Sequence, residues 1–216
     1  MLGFLQQLIF PMELLLAVTI YVIPLRMRRQ GAWRCLLSLA AIYLIEMLWM
    51  HVYPWVSVPL QSVVILSYFL FYFVFLLGIL LGIWYSFDIS LKEAVLCVTM
   101  GYATEHIAYC IRLLINGATD SQIAESLHLL YFLIHFGVYL IFYFFFAKKM
   151  VQKHHYETDA MASLWMTLVT LFIVLLMSLA ATFWGFTVLH GIYGLVCCLF
   201  VMINQRNYMS NWHLQK

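Results

Sequence analysis

The chain has 216 residues, of which 66% are hydrophobic and 9% charged, with a formal net charge of +2 and a mean hydropathy of +0.97. A water-facing surface cannot be built from so few polar residues in so short a chain, so a soluble domain is excluded and the lipid bilayer becomes the first expected partner. At about 20 apolar residues per crossing, the length allows roughly seven helices with short connections. The expected fold class is all-α, a polytopic bundle with no separate soluble domain.

In chain order, the predicted spans begin with Phe4 to Leu25. No basic residue precedes this run and no small-residue cleavage site follows it, so it is expected to be retained rather than removed as a signal peptide. The second span, Cys35 to Tyr53, follows a basic segment, and the third runs from Gln61 to Trp84. Gly78 and Gly82 on the third form a small-xxx-small pair able to admit a close neighbouring helix. The fourth and fifth spans are Glu93 to Ile115 and Ser126 to Ala147. Ser163 to Trp184 and Thr187 to Ile203 complete the set, separated by Gly185 and Phe186. One unbroken helix from Ser163 to Ile203 would be about 61 Å long, twice the hydrocarbon thickness, so a turn is required. Residues 1–203 thus form the expected transmembrane bundle, and residues 204–216 begin a cytoplasmic helix. Trp33, Trp49, Trp55, Trp84, Trp184 and Trp212 lie near span ends or loops, as suits indole at the headgroup layer.

Charge predicts orientation. Lys and Arg accumulate in cytoplasmic loops, whereas Asp and Glu carry little topological weight. Seven spans with an external N-terminus place Arg26, Arg28, Arg29, Arg34, Lys92, Lys148, Lys149, Lys153, Arg206 and Lys216 inside. The outer loops around Pro54, Asn116 and Gly185 then hold no Lys or Arg, and only Arg112 lies within a span. Six spans would put Arg206 and Lys216 outside, which the rule disfavours.

Several classes drop out. Cys35, Cys97, Cys110, Cys197 and Cys198 do not form a disulfide framework, because four of them fall in cytoplasmic halves of spans. His154 and His155 are adjacent but lack further ligands at metal-binding spacing. No metal, cofactor or nucleic-acid partner is expected. Internal repeats, low-complexity tracts and linkers are absent from the sequence.

The informative residues are the ionisable ones inside spans, since charge at bilayer depth usually faces a bundle interior or a wet cavity. Glu13, Glu46, Glu105, His106, Arg112 and His135 all fall in the outer half or near the midplane when depth is counted along each helix. These are the candidate ligand-binding residues. Glu105 and Arg112 return to nearly the same helix face two turns apart, close without touching. Arg112 is expected to seek Glu46 or Glu105, or to hold an anionic ligand group through its fork. The surplus carboxylates call for protonation, water or a cationic ligand. A purely structural polar network is the alternative for each residue. His135 and His190 are read first as packing residues. His106 and Cys110 share a face four residues apart, but nothing nearby in sequence completes a nucleophilic centre, and no catalytic residue is assigned.

The tail from Asn204 to Lys216 leaves the membrane as polar, helix-compatible sequence without Gly or Pro. With Trp212-His213-Leu214-Gln215-Lys216 at its end, it resembles the membrane sensor region of bacterial GHKL-type histidine kinases, the group that includes the peptide-pheromone receptors of Gram-positive quorum sensing. The resemblance implies a six- or seven-span sensor, a homodimer, and a following helix and ATP-binding domain that supply kinase activity. Neither kinase element is within these 216 residues, and His213 lacks the phosphoacceptor surroundings. The chain is therefore expected to be no enzyme itself, but a sensor in the bacterial cytoplasmic membrane that binds a peptide or small molecule among spans two, four and five. A transporter, or the substrate-binding subunit of one, is the alternative.

Overall fold

A computed structural model describes residues 2–56, 61–118, 128–152, 155–156 and 188–214, together with Trp165, Val169 and Phe172. Almost all of them are helical: α1 (Leu2–Val22), α2 (Gly31–Val56), α3 (Gln61–Ser86), α4 (Leu91–Ala118), α5 (His128–Phe142) and α6 (Val188–Leu214). A π-helical stretch, Tyr143–Ala147, carries α5 into one further turn, Lys148–Met150. A minimal hairpin follows, in which Val151 and Gln152 pair antiparallel with Tyr156 and His155.

Among the described residues, Gly31–Trp49, Leu91–Ile115 and Leu130–Ala147 are long and apolar enough to cross a membrane. The apolar stretches found in α1, α3 and α6 are shorter, Pro11–Val22, Phe73–Ser86 and Gly191–Asn204. The expected span from Ser163 to Trp184 lies outside the described residues except for Trp165, Val169 and Phe172, which are helical and exposed. Leu36, Leu44 and Leu48 on α2, Phe73 and Leu81 on α3, Phe132 and Phe136 on α5, and Phe200 on α6 are also exposed. Apolar surface of this extent is unfavourable in water and is what lipid contact requires. The described residues are thus almost entirely helical, and three of the helices are long and apolar enough to cross a membrane.

Its contacts divide it into two compact units, Leu25–Ala94 and the combination of Met1–Pro24 with Val95–Lys216. The first unit is an antiparallel pair of α2 and α3. Going along α2, Arg34 lies over the Tyr85 ring, Ser38 faces Gly82, Ile42 and Ile45 face Gly78, and Trp49 stacks on Phe71. Of the expected glycine pair, Gly82 makes the close approach: a Cβ there would lie 2.9 Å from Ser38 Cβ, while at Gly78 the nearest atom is an ordinary 3.5 Å away. The basic segment before α2 is tied to the end of α3 by backbone pairing. Arg28 N–H donates to Ser86 O at 3.2 Å, Asp88 N–H donates to Arg26 O at 2.9 Å, and Arg28 Nε donates to Phe87 O at 2.7 Å. A Ser90–Glu93 capping box then opens α4: Ser90 N–H donates to Glu93 Oε2 at 2.7 Å, and Glu93 N–H to Ser90 Oγ at 3.4 Å.

The second unit has α4 at its centre. At Gly101 the α1 backbone comes so near that a Cβ would stand 2.7 Å from Val18 Cα and 2.9 Å from Val18 N. Only glycine allows this approach. One turn further, Thr104 Oγ1 donates to Met100 O at 2.8 Å, so the Tyr21 hydroxyl, 2.8 Å away, must be the donor to Thr104. Met202 Sδ of α6 lies 3.8 Å from the same Oγ1, and the Tyr139 hydroxyl of α5 donates to Glu13 O of α1 at 3.0 Å. Three helices are in this way keyed to α4 or to its neighbour.

Candidate functional site

The close approach at Gly101 decides which polar side chains meet. Glu13 lies five residues before Val18 on α1, and Glu105 four residues after Gly101 on α4. With the helices pressed together at Val18 and Gly101, these carboxylates are brought to the same place, and His135 of α5 joins them. One ligand atom from each of Glu13, Glu105 and His135 lies within 4.8 Å of the others.

His135 is oriented by its own helix. Its Nδ1 is 2.8 Å from Tyr131 O; since a carbonyl can only accept, Nδ1 carries the proton and Nε2 points inward. Nε2 is 3.6 Å from Glu13 Oε1, and it has no hydrogen-bond partner among the described residues. Glu105 is almost fully enclosed at 1% exposure, and its Oε1 is likewise without a hydrogen-bond partner. Buried polar atoms left this way are uncommon and call for a physical explanation, such as a bound water, ion or ligand group.

Arg112 closes the more open side. Its Nη1 is 3.7 Å from Glu13 Oε1, and its guanidinium lies over the Tyr109 ring at 5.0 Å and the Tyr131 ring at 5.9 Å. The Glu13 distance exceeds the roughly 2.7–2.9 Å of a charge-assisted hydrogen bond. The cation therefore offsets part of the cluster's negative charge at a distance while its guanidinium rests over aromatic rings.

The six candidate residues separate into two groups. Glu13, Glu105, Arg112 and His135 come together, on α1, α4 and α5. Glu46 is buried on α2 but belongs to the other compact unit. His106 is buried on α4, its ring stacked 5.9 Å from that of Tyr109, and its Nε2 has no hydrogen-bond partner among the described residues. The expectation that Arg112 seeks Glu46 or Glu105 is corrected: its ion pair is with Glu13. His135, read first as packing, is a central member. The signal available in the sequence was the shared depth of Glu13 and His135; what it lacked was the direction each side chain faces. The side chains of His190 and His213, and all of His154, lie outside the described residues. All five cysteines are free thiols. No family model, curated protein or solved structure matches the chain.

Proposed function

We propose that the chain is the membrane sensor region of a histidine-kinase-type receptor, with seven spans, an external N-terminus and a cytoplasmic C-terminus. The observation that carries the reading is the assembly of Glu13, Glu105, Arg112 and His135 from three helices into one buried cluster. Charge buried in this manner is costly to maintain, which makes the cluster a candidate for ligand binding or switching. The route outward is physically continuous. Thr104, one residue before Glu105, abuts Met202 of α6, and α6 runs unbroken from Val188 to Leu214. A ligand that favours one packing of α1, α4 and α5 over another would shift α6, and only such differential affinity can do so. The charge distribution supports the orientation, and the tail supports a homodimeric signalling helix.

In cells carrying the full-length receptor, Arg112→Ala is expected to abolish the response at unchanged membrane abundance, and Arg112→Lys to weaken it. Lost abundance in both variants would mean that the cluster only holds the fold together. Transport is a second reading, favoured by one observation: carboxylates and an imidazole gathered within 4.8 Å are also the parts of a proton or ion relay. Substrate accumulation that depends on Glu105 would establish it in place of sensing.

A further inference from the structure

We infer that Glu13, Glu105 and His135 form a binding site for a divalent metal ion of the zinc class, with a fourth coordination position that none of the described residues fills. The inference rests on reading the cluster as a ligand site and names the chemistry of what it holds.

The imidazole makes the first argument. With Nδ1–H committed to Tyr131 O, Nε2 presents its lone pair to Glu13 Oε1 at 3.6 Å. Two acceptors facing each other in a buried site repel unless a proton or a metal ion lies between them. A metal-bound histidine characteristically donates its other ring N–H to a carbonyl in this way, which fixes the ring and raises its basicity. The distance makes the second argument. It is too long for a charge-assisted hydrogen bond, about 2.7–2.9 Å. Metal–ligand bonds of roughly 2.0–2.2 Å instead place two tetrahedral ligands about 3.3–3.5 Å apart. Glu105 supplies the third argument, as a 1%-exposed carboxylate whose Oε1 has no hydrogen-bond partner and whose oxygen lies within 4.8 Å of the other two ligand atoms.

Charge and donor type narrow the ion. Two carboxylates and one imidazole suit a borderline divalent ion better than a soft monovalent one. Two carboxylates against a divalent ion leave Arg112 uncompensated, so the open position favours an anionic oxygen or sulfur donor next to the guanidinium. A sensor with this site would read a ligand that completes the metal's coordination.

The test uses the purified full-length chain in lipid nanodiscs, stripped with a chelator and titrated with Zn²⁺, and separately with Co²⁺ as a spectroscopic probe. One Zn²⁺ per chain is expected, with intense visible bands from tetrahedral Co²⁺. Glu105→Gln and His135→Gln should each weaken Zn²⁺ by more than the roughly 10–100-fold that changes outside the coordination sphere produce. Arg112→Ala should tighten it by removing a nearby positive charge, an outcome that a merely structural cluster would not give. His51→Gln, on the exposed face of α2, should leave it unchanged. Failure of the wild-type chain to take up stoichiometric Zn²⁺, or weak octahedral-type Co²⁺ bands, overturns the assignment without recourse to any variant. Unchanged affinity in both ligand variants does the same. Absent metal uptake with a response still abolished by Arg112→Ala would remove the metal and leave the sensor reading standing. Stoichiometric Zn²⁺ with an intact response in Arg112→Ala would do the reverse.

Discussion

Helices α2 and α4 are nearly equal in length, at 26 and 28 residues, and both contain a stretch able to cross a membrane, yet they have opposite surroundings. Across their most apolar stretches 17% of α2 is buried, against 83% of α4. α2 turns Leu36, Leu44 and Leu48 outward and buries one carboxylate, Glu46. α4 encloses Thr99, Thr104, Glu105 and His106 together with small residues such as Gly101, Ala103 and Ala108. In lipid there is no hydrophobic force to bring helices together, so association relies on close packing and on polar contacts between helices. The more polar helix is consequently the more buried one, the reverse of a water-soluble protein.

Breaking the α4 side of this contrast should have the largest effect. Gly101→Leu drives a side chain into the α1 backbone at Val18, and loss of folded protein in the membrane is expected by abundance and by thermal unfolding in detergent. Gly78→Ala, where the nearest neighbour is 3.5 Å away, should be tolerated. If both behave alike, the close approach of α4 to Val18 at Gly101 is not what holds α1 against α4. An intermediate effect is expected from Thr104→Val, which removes the hydrogen bond between Thr104 Oγ1 and the buried Tyr21 hydroxyl. Loss of one buried hydrogen bond costs about 0.5–1.5 kcal/mol, readable as a lowered unfolding midpoint. The smallest effect belongs to the α2 exterior: Leu48→Ala, at a side chain 64% exposed, should change stability by less than about 0.5 kcal/mol. A larger loss would place Leu48 in an interface, either within the assembly or with a partner, and sharpen the search for a dimer contact.

The helices were legible because apolar run length and polar interruptions are local properties. Phe4 to Leu25 corresponds to Leu2–Val22, Glu93 to Ile115 to Leu91–Ala118, and the run starting at Thr187 to Val188–Leu214. Boundaries moved where capping chemistry was overlooked. Ser90 and Glu93 form an S-x-x-E pattern visible in the sequence, and it sets the start of α4 before Glu93. Membership of the site was legible only in part. Counting depth along each helix grouped Glu13, Glu105, Arg112 and His135, which the structure brings near one another on α1, α4 and α5, but it ranked Glu46 and His106 equally with them.

Composition and apolar run length were enough to indicate helices long and apolar enough to cross a membrane, because that follows from transfer free energies summed along the chain. Which of the ionisable residues meet was decided in three dimensions. Glu13 reaches Arg112 and His135 because Gly101 admits the α1 backbone and because the Tyr139 hydroxyl holds α5 against Glu13 O. Helix rotation and crossing point depend on atoms from several helices at once, and the absence of a Cβ at position 101 is one of the conditions that set them.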